Sequence, residues 1–71
     1  MQPHQQRVVD EHSELEDRLD KLHIFIGNGK IPASSVFLSL DNDERVRLIT
    51  QAHYMRGYRD ILKARIAAFT A

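Results

Sequence analysis

Apolar residues recur over the first 26 positions at alternating intervals of four and three residues. This spacing is typical of the seam of a helix that packs lengthwise against another helix. Pro3 suits the first turn of a helix, and Gly27 favours its C-terminal end. The pattern therefore predicts a long helix over about residues 4–26. Its seam positions are Val8, His12, Leu15, Leu19, Leu22 and Ile26.

The C-terminal part of the chain repeats this alternation. Asp41 and Glu44 have the spacing of a capping box, which marks the start of a helix. A second long helix is thus predicted over about residues 42–69. Its interior Gly57 has three interpretations, namely close approach of another helix, room for a ligand, or a tolerated irregularity, of which we prefer the last. Its seam positions are Leu48, Ala52, Met55, Arg59, Leu62, Ile66 and Phe69.

Residues 27–40 form the connector, in which Pro32 blocks helix continuation and positions 36–40 are largely apolar. Ser34 or Ser35 is placed to cap one helical turn. We expect residues 30–40 to fold over one end of the long helices as a lid. A short strand is the alternative, although it would lack a partner strand.

Two long helices with a short connector predict an all-α fold, an antiparallel helical hairpin in a single domain over residues 1–71. Apolar residues beside the seams, such as Ile49 and Tyr54, would remain in water in a monomer. The chain has no cysteine, so disulfides cannot stabilise this small domain. We therefore expect a homo-oligomer that forms a helical bundle. The expected interface residues are Val8, His12, Leu15, Leu19, Leu22, Phe25, Met55, Ile61, Leu62, Ile66 and Phe69.

Ten basic and ten acidic residues cancel, but they are distributed unevenly. Residues 1–29 hold three basic and six acidic residues, and residues 30–71 hold seven and four. An acidic helix beside a basic one explains this division, and zero net charge argues against duplex nucleic acid as a partner. No apolar stretch approaches the roughly 20 residues of a membrane span, and no signal peptide is evident. We expect a cytoplasmic protein without membrane association.

No catalytic or metal-binding pattern emerges from the polar residues. Asp20 and His23 have the spacing of a helical metal motif, but no second pair accompanies them. The serines lack a glycine elbow, and residues 27–30 lack the spacing of a phosphate-binding loop. We therefore expect neither an enzyme nor a bound cofactor or metal.

Aromatic and cationic residues share one stripe of the second helix. Tyr54 and Tyr58 offer rings for stacking, while guanidinium groups bind phosphates through paired hydrogen bonds. The stripe suits a nucleotide-like anion or a protein partner. Alternatively, the tyrosines build the oligomer interface and the arginines pair with Glu11, Glu14 and Asp17. The candidate binding residues are Arg47, Tyr54, Tyr58, Arg65 and, at a seam position where a charge needs a partner or ligand, Arg59.

A longer pattern covers nearly the whole chain. It consists of Gln6-Arg7-Val8-Val9-Asp10-Glu11, then Leu15, Leu19, Leu22, Phe25 and Ile26, then Met55, Tyr58, Ile61, Leu62, Arg65, Ile66 and Phe69. It resembles a family of very short tailed-phage and prophage proteins related to an open reading frame of a crAss-like phage. The resemblance implies a phage origin and no catalytic signature.

Small non-catalytic phage proteins often act on the host stoichiometrically. We therefore expect a host-defence antagonist in the host cytoplasm, which sequesters a cyclic-nucleotide-type immune signal or blocks a host defence protein. The alternative is a structural or regulatory helical oligomer, such as a morphogenesis or transcription accessory factor, with no small-molecule ligand.

Overall fold

The computed structural model describes residues 1–69, in which three helices are the regular elements. Helix α1 spans Pro3–Ile26, helix α2 spans Ser35–Ser39 and helix α3 spans Asn42–Ala68. No strand occurs in this part of the chain. The predicted all-helical arrangement of two long helices joined by a short helix is confirmed, and the alternative of a strand in the connector is wrong.

Helices α1 and α3 lie side by side and run in opposite directions. Arg59 of α3 pairs with Glu16 of α1, and Arg56, one turn earlier in α3, contacts His23, two turns later in α1. Contacts that descend along one helix while they ascend along the other require an antiparallel pair. The molecule measures 45 × 19 × 19 Å, so its long dimension is close to the roughly 40 Å length of α3 alone.

Helix α1 ends at a glycine whose backbone conformation excludes other residues. Gly27 has a φ of 78°, and its N–H donates to the carbonyl of His23 at 2.9 Å. A Cβ at this position would lie 2.6 Å from the backbone nitrogen of Ala33. Both the left-handed φ and the close approach of the connector therefore require glycine here.

Helix α3 begins at the predicted cap. The Asp41 carboxylate accepts a hydrogen bond from the Glu44 N–H at 2.7 Å, which satisfies one of the free donors of the first turn. The Glu44 carboxylate does not complete a capping box with Asp41. It accepts instead from Nε of Arg47 at 2.8 Å.

The Phe37 ring of the short helix α2 packs over the end of the hairpin at which the connector lies. Ser34 caps α2 by accepting from the Val36 N–H at 3.2 Å. Phe37 is buried and packs edge-to-face against Phe25 with ring centroids 5.7 Å apart, whereas Leu38 beside it is exposed. The connector thus covers the hairpin end mainly through Phe37.

The core is small and lies between the two predicted seams. Its buried apolar residues are Val8, Leu15, Leu19, Phe37, Ala52 and Leu62. Met55, Ile66 and Phe69 are partly buried and pack against the cluster of Val8, Leu15 and Leu62. Most of the residues expected at an oligomer interface are therefore covered within one chain, with Ile61 exposed. Their role in an oligomer stays a prediction.

Much apolar surface remains uncovered on the side of α3 that faces away from α1. Five large apolar residues of α3 are exposed, namely Val46, Ile49, Tyr54, Tyr58 and Ile61. None of the helices in residues 1–69 combines the length and the apolar character that crossing a membrane requires.

Candidate functional site

A shallow groove of about 610 Å³ opens on the surface of α3. Gly57 lies at its middle, and no atom would come within 4 Å of a Cβ at that position. The groove therefore exists because the missing side chain leaves space between larger neighbours. Its lining residues are His53, Tyr54, Arg56, Gly57, Tyr58, Arg59, Asp60 and Ile61.

The two tyrosines of the candidate site lie on this open surface. Tyr54 is 71% exposed and Tyr58 is 44% exposed. The imidazole of His53 packs edge-to-face on the Tyr54 ring, with centroids 5.5 Å apart. The exposed rings of Tyr54 and Tyr58 are therefore available to stack against a planar ligand.

Arg59, the charged residue of the seam, has carboxylate partners. Its Nε donates to Oδ1 of Asp60 at 3.1 Å and lies 3.6 Å from Oε1 of Glu16 on α1. The same Glu16 oxygen lies 3.7 Å from Nε2 of His12. The carboxylates of Glu16 and Asp60 stabilise the Arg59 charge at the edge of the helix pair, although the side chain also lines the groove.

The acidic partners proposed for the arginines of α3 differ from those found. Among residues 1–69, no ion pair joins an α3 arginine to Glu11, Glu14 or Asp17. Asp17 pairs with Lys21 of its own helix at 2.9 Å. Glu16, and not the neighbouring Asp17, is the α1 residue that reaches Arg59. Adjacent positions on a helix point roughly 100° apart, so only one of these two side chains can face α3.

Arg56 is a groove residue that the candidate set lacked. Its Nη1 lies 3.0 Å from Nε2 of His23. A guanidinium only donates, so the histidine nitrogen is the acceptor in this hydrogen bond. Within the described chain no carboxylate forms an ion pair with Arg56. Arg56 lies three positions before Arg59 in the sequence, and this spacing was the sequence signal that places both arginines on the same side of α3.

Arg47 and Arg65 lie beyond the two ends of the groove. Nε of Arg47 donates to Oε1 of Glu44 at 2.8 Å, and this hydrogen bond raises the pKa of the Arg47 guanidinium above its ordinary value. Arg65 is exposed in the last turn of α3 and has no ion pair among residues 1–69. Each arginine is seven positions from the nearer tyrosine, roughly 10 Å along the helix. We refer to Arg47, Tyr54, Tyr58 and Arg65 as the Tyr–Arg row.

Fold and surface define a class of protein: a small helical hairpin that presents aromatic and cationic side chains on an open surface. In the part of the chain described, no three histidine, aspartate or glutamate side chains group to hold a metal ion.

Residues 2–68 match the sequence profile of the Sequestin family, so the match spans nearly the whole chain. The protein belongs to the Sequestin family. No curated protein and no solved structure matches the chain significantly. The family name points to sequestration, whereas the resemblance to crAss-like phage proteins stays a prediction.

Proposed function

We propose that this protein acts by sequestration and removes a nucleotide signal of host antiviral defence from solution, without converting it. Membership of the Sequestin family supports sequestration. The Tyr–Arg row is the observation that favours a nucleotide, because it offers two exposed rings between two exposed guanidinium groups.

The Tyr–Arg row offers a binding group for the base and another for the phosphate of a nucleotide. A base that stacks on an aromatic ring gains about 1–3 kcal/mol. A phosphate that accepts a hydrogen bond from a guanidinium gains about 1.5–3 kcal/mol. Since the chain has zero net charge, attraction of an anion depends on local cations such as Arg65, which lacks an ion-pair partner in the described chain.

Thermal melting with a panel of cyclic and linear oligonucleotide signals tests this function. A ligand that binds only the folded protein adds about 2.7 kcal/mol of stability at a concentration of 100 times its Kd. For a domain of this size, that corresponds to a rise in Tm of about 10–20 °C. Intact ligand recovered after denaturation would support binding without conversion.

Variants of the row separate specific binding from unspecific stabilisation. Tyr54→Ala removes an exposed ring, so we expect normal folding and a loss of affinity of about 5- to 150-fold. Lys63→Ala is the matched control, because Lys63 is exposed on α3 outside the row. Equal affinity of the two variants, or the absence of any heat of binding and Tm shift across the panel, would contradict the proposal.

A host defence protein is the second candidate ligand. The observation that favours it is Ile61, which is 61% exposed beside the tyrosines, because protein interfaces combine an apolar centre with Tyr and Arg. A single host partner recovered by pull-down with the wild type, and lost with Tyr58→Ala, would support this candidate in a protein that binds no nucleotide. If neither ligand binds, a purely structural or regulatory oligomer becomes the better hypothesis.

A further inference from the structure

The side of α3 opposite the core carries an uncharged line of residues. With about 3.6 residues per turn, these residues lie within roughly 20° of a single line along the helix. All are exposed. They are Val46, Thr50, Gly57, Ala64 and Ala68, and we call them the back face of α3.

A solvated helix face normally carries charged or polar groups. The back face instead presents small or apolar residues, and its one hydroxyl is occupied, since Thr50 Oγ1 donates to the Val46 carbonyl at 2.8 Å. Tyr54 and Ile61, at 71% and 61% exposure, flank it. This surface is suited to contact with another helix.

We propose that a second copy of the chain packs antiparallel along the back face, centred on Gly57, and that the two copies together complete the nucleotide site. The second clause rests on the proposed function. In such a pair, residues whose numbers add up to about 114 lie opposite each other. Val46 then faces Ala68 and Thr50 faces Ala64, so at these positions a larger residue meets a smaller one.

Charge complementarity along one edge favours a second copy over an unrelated partner. Asp60 of each copy lies opposite His53 and Arg56 of the other copy in this arrangement. Arg56 has no carboxylate partner within its own described chain. Pairing would give Arg56 the Asp60 carboxylate of the other copy, whose Oδ1 also accepts from Arg59 of its own chain. The twofold axis repeats this contact at a second place.

The Tyr–Arg row lies along the other edge, roughly 60–100° from the back face. A twofold axis perpendicular to both helices brings equal edges together, so Tyr54 lies opposite Tyr58 and Arg47 lies opposite Arg65 of the second copy. Within one chain, the two arginines are about 27 Å apart along the helix. In the pair they meet at both ends of the row.

Each end of the paired row brings two guanidinium groups together, while Asp41 and Glu44 act on Arg47. Two guanidinium groups share one bound carboxylate, that of Glu44 on Arg47. A bound anion would add a counter-charge for Arg65, which has no ion pair in the described chain. Each dimer thus offers two equivalent sites, and each site takes one nucleotide unit, with its base on the tyrosines and its phosphate between the arginines.

Gly57→Leu tests the pairing without disturbing the hairpin, because nothing lies within 4 Å of a Cβ at Gly57 and leucine is the better helix former. Light scattering should give twice 8.2 kDa for the wild type and 8.2 kDa for the variant. Nucleotide affinity should fall by more than about tenfold, since each site loses a ring and a guanidinium. Lys63→Leu, which adds a leucine outside the back face, should keep both properties.

Cysteine cross-linking tests direction and register, and the chain has no cysteine of its own. Thr50→Cys and Ala64→Cys should form a disulfide only when the two variants are mixed, because each residue faces the other across an antiparallel pair. Cross-linking of Thr50→Cys with itself would indicate a parallel pair and overturn the proposal. A monomeric wild type at micromolar concentration would overturn it as well.

The two proposals fail in different ways. If Gly57→Leu is monomeric and binds nucleotide like the wild type, sequestration stands and the shared site is refuted. If the mixed variants cross-link as expected but no nucleotide binds, the pairing is supported and the proposed function falls.

Discussion

Leu62→Ala tests whether the hairpin core is centred where α1 and α3 meet. Leu62 is 0% exposed and packs in one cluster with Val8 and Leu15. Leu38→Ala is a matched control, because it makes the same chemical change in a side chain that is 58% exposed in α2. The difference between the two variants therefore reports burial alone.

The expected loss follows from the groups removed. Leucine exceeds alanine by about three carbon groups, each worth about 0.8 kcal/mol when buried, or about 2.4 kcal/mol in total. The cavity left behind adds to this, so we expect about 3 kcal/mol for Leu62→Ala and about 1 kcal/mol or less for Leu38→Ala. A domain of this length has a free energy of unfolding of about 4–11 kcal/mol, so the first change removes a large part of it.

Urea unfolding followed by circular dichroism at one fixed protein concentration measures both losses. In thermal unfolding, a loss of 1 kcal/mol lowers the Tm of such a domain by about 4–8 °C, so the Tm of Leu62→Ala should fall by at least about 12 °C. Similar losses in both variants would refute the assignment of Leu62 to the core. A change in the urea dependence, rather than in the midpoint, would indicate an altered unfolded state instead of a cavity.

Three further changes test the helix ends and the ion pair. Gly27→Ala should cost more than about 1 kcal/mol because of its φ of 78°, whereas Gly29→Ala, with open space around it, should be neutral or stabilising in urea unfolding. Asp41→Ala should cost about 1 kcal/mol and reduce helix content in circular dichroism, because it removes the cap of α3. A double-mutant cycle of Arg59→Met with Glu16→Gln should give a coupling below about 1 kcal/mol, since both side chains are partly exposed. A clearly larger coupling would contradict this weak ion pair.

The sequence pattern was sufficient for the helices and their ends. The four–three spacing identified Leu15, Leu19 and Leu62, which are buried. Gly27 and Asp41 marked the ends through chemistry that acts within a few residues, namely a left-handed backbone and a side-chain cap. Such local signals can be recognised without knowledge of the partner helix.

Contacts between helices were harder to predict. Periodicity indicates which face of a helix is covered, but the pairing of Arg59 with Glu16 depends on the axial offset between α1 and α3. The packing of Phe37 on Phe25 likewise depends on the path of the connector. The groove arises where Gly57 lies between larger residues. Room for a ligand was among the interpretations of this glycine, but a tolerated irregularity was preferred, because spacing alone does not show which side chains surround it.

Helix α3 has apolar residues on opposite sides, so the proposed pairing and ligand binding would both be linked to its stability. One side buries Leu62 against α1, and the other leaves Ile61 and Tyr54 in water. A helix that is apolar on both sides is normally covered on both. If a second copy covers the back face, pairing and nucleotide binding stabilise the same state and each strengthens the other. Dilution should then lower the Tm of the free protein, and it should lower the Tm less when a nucleotide is bound. The stability of the small core in one chain would thus depend on the binding of a ligand by two chains.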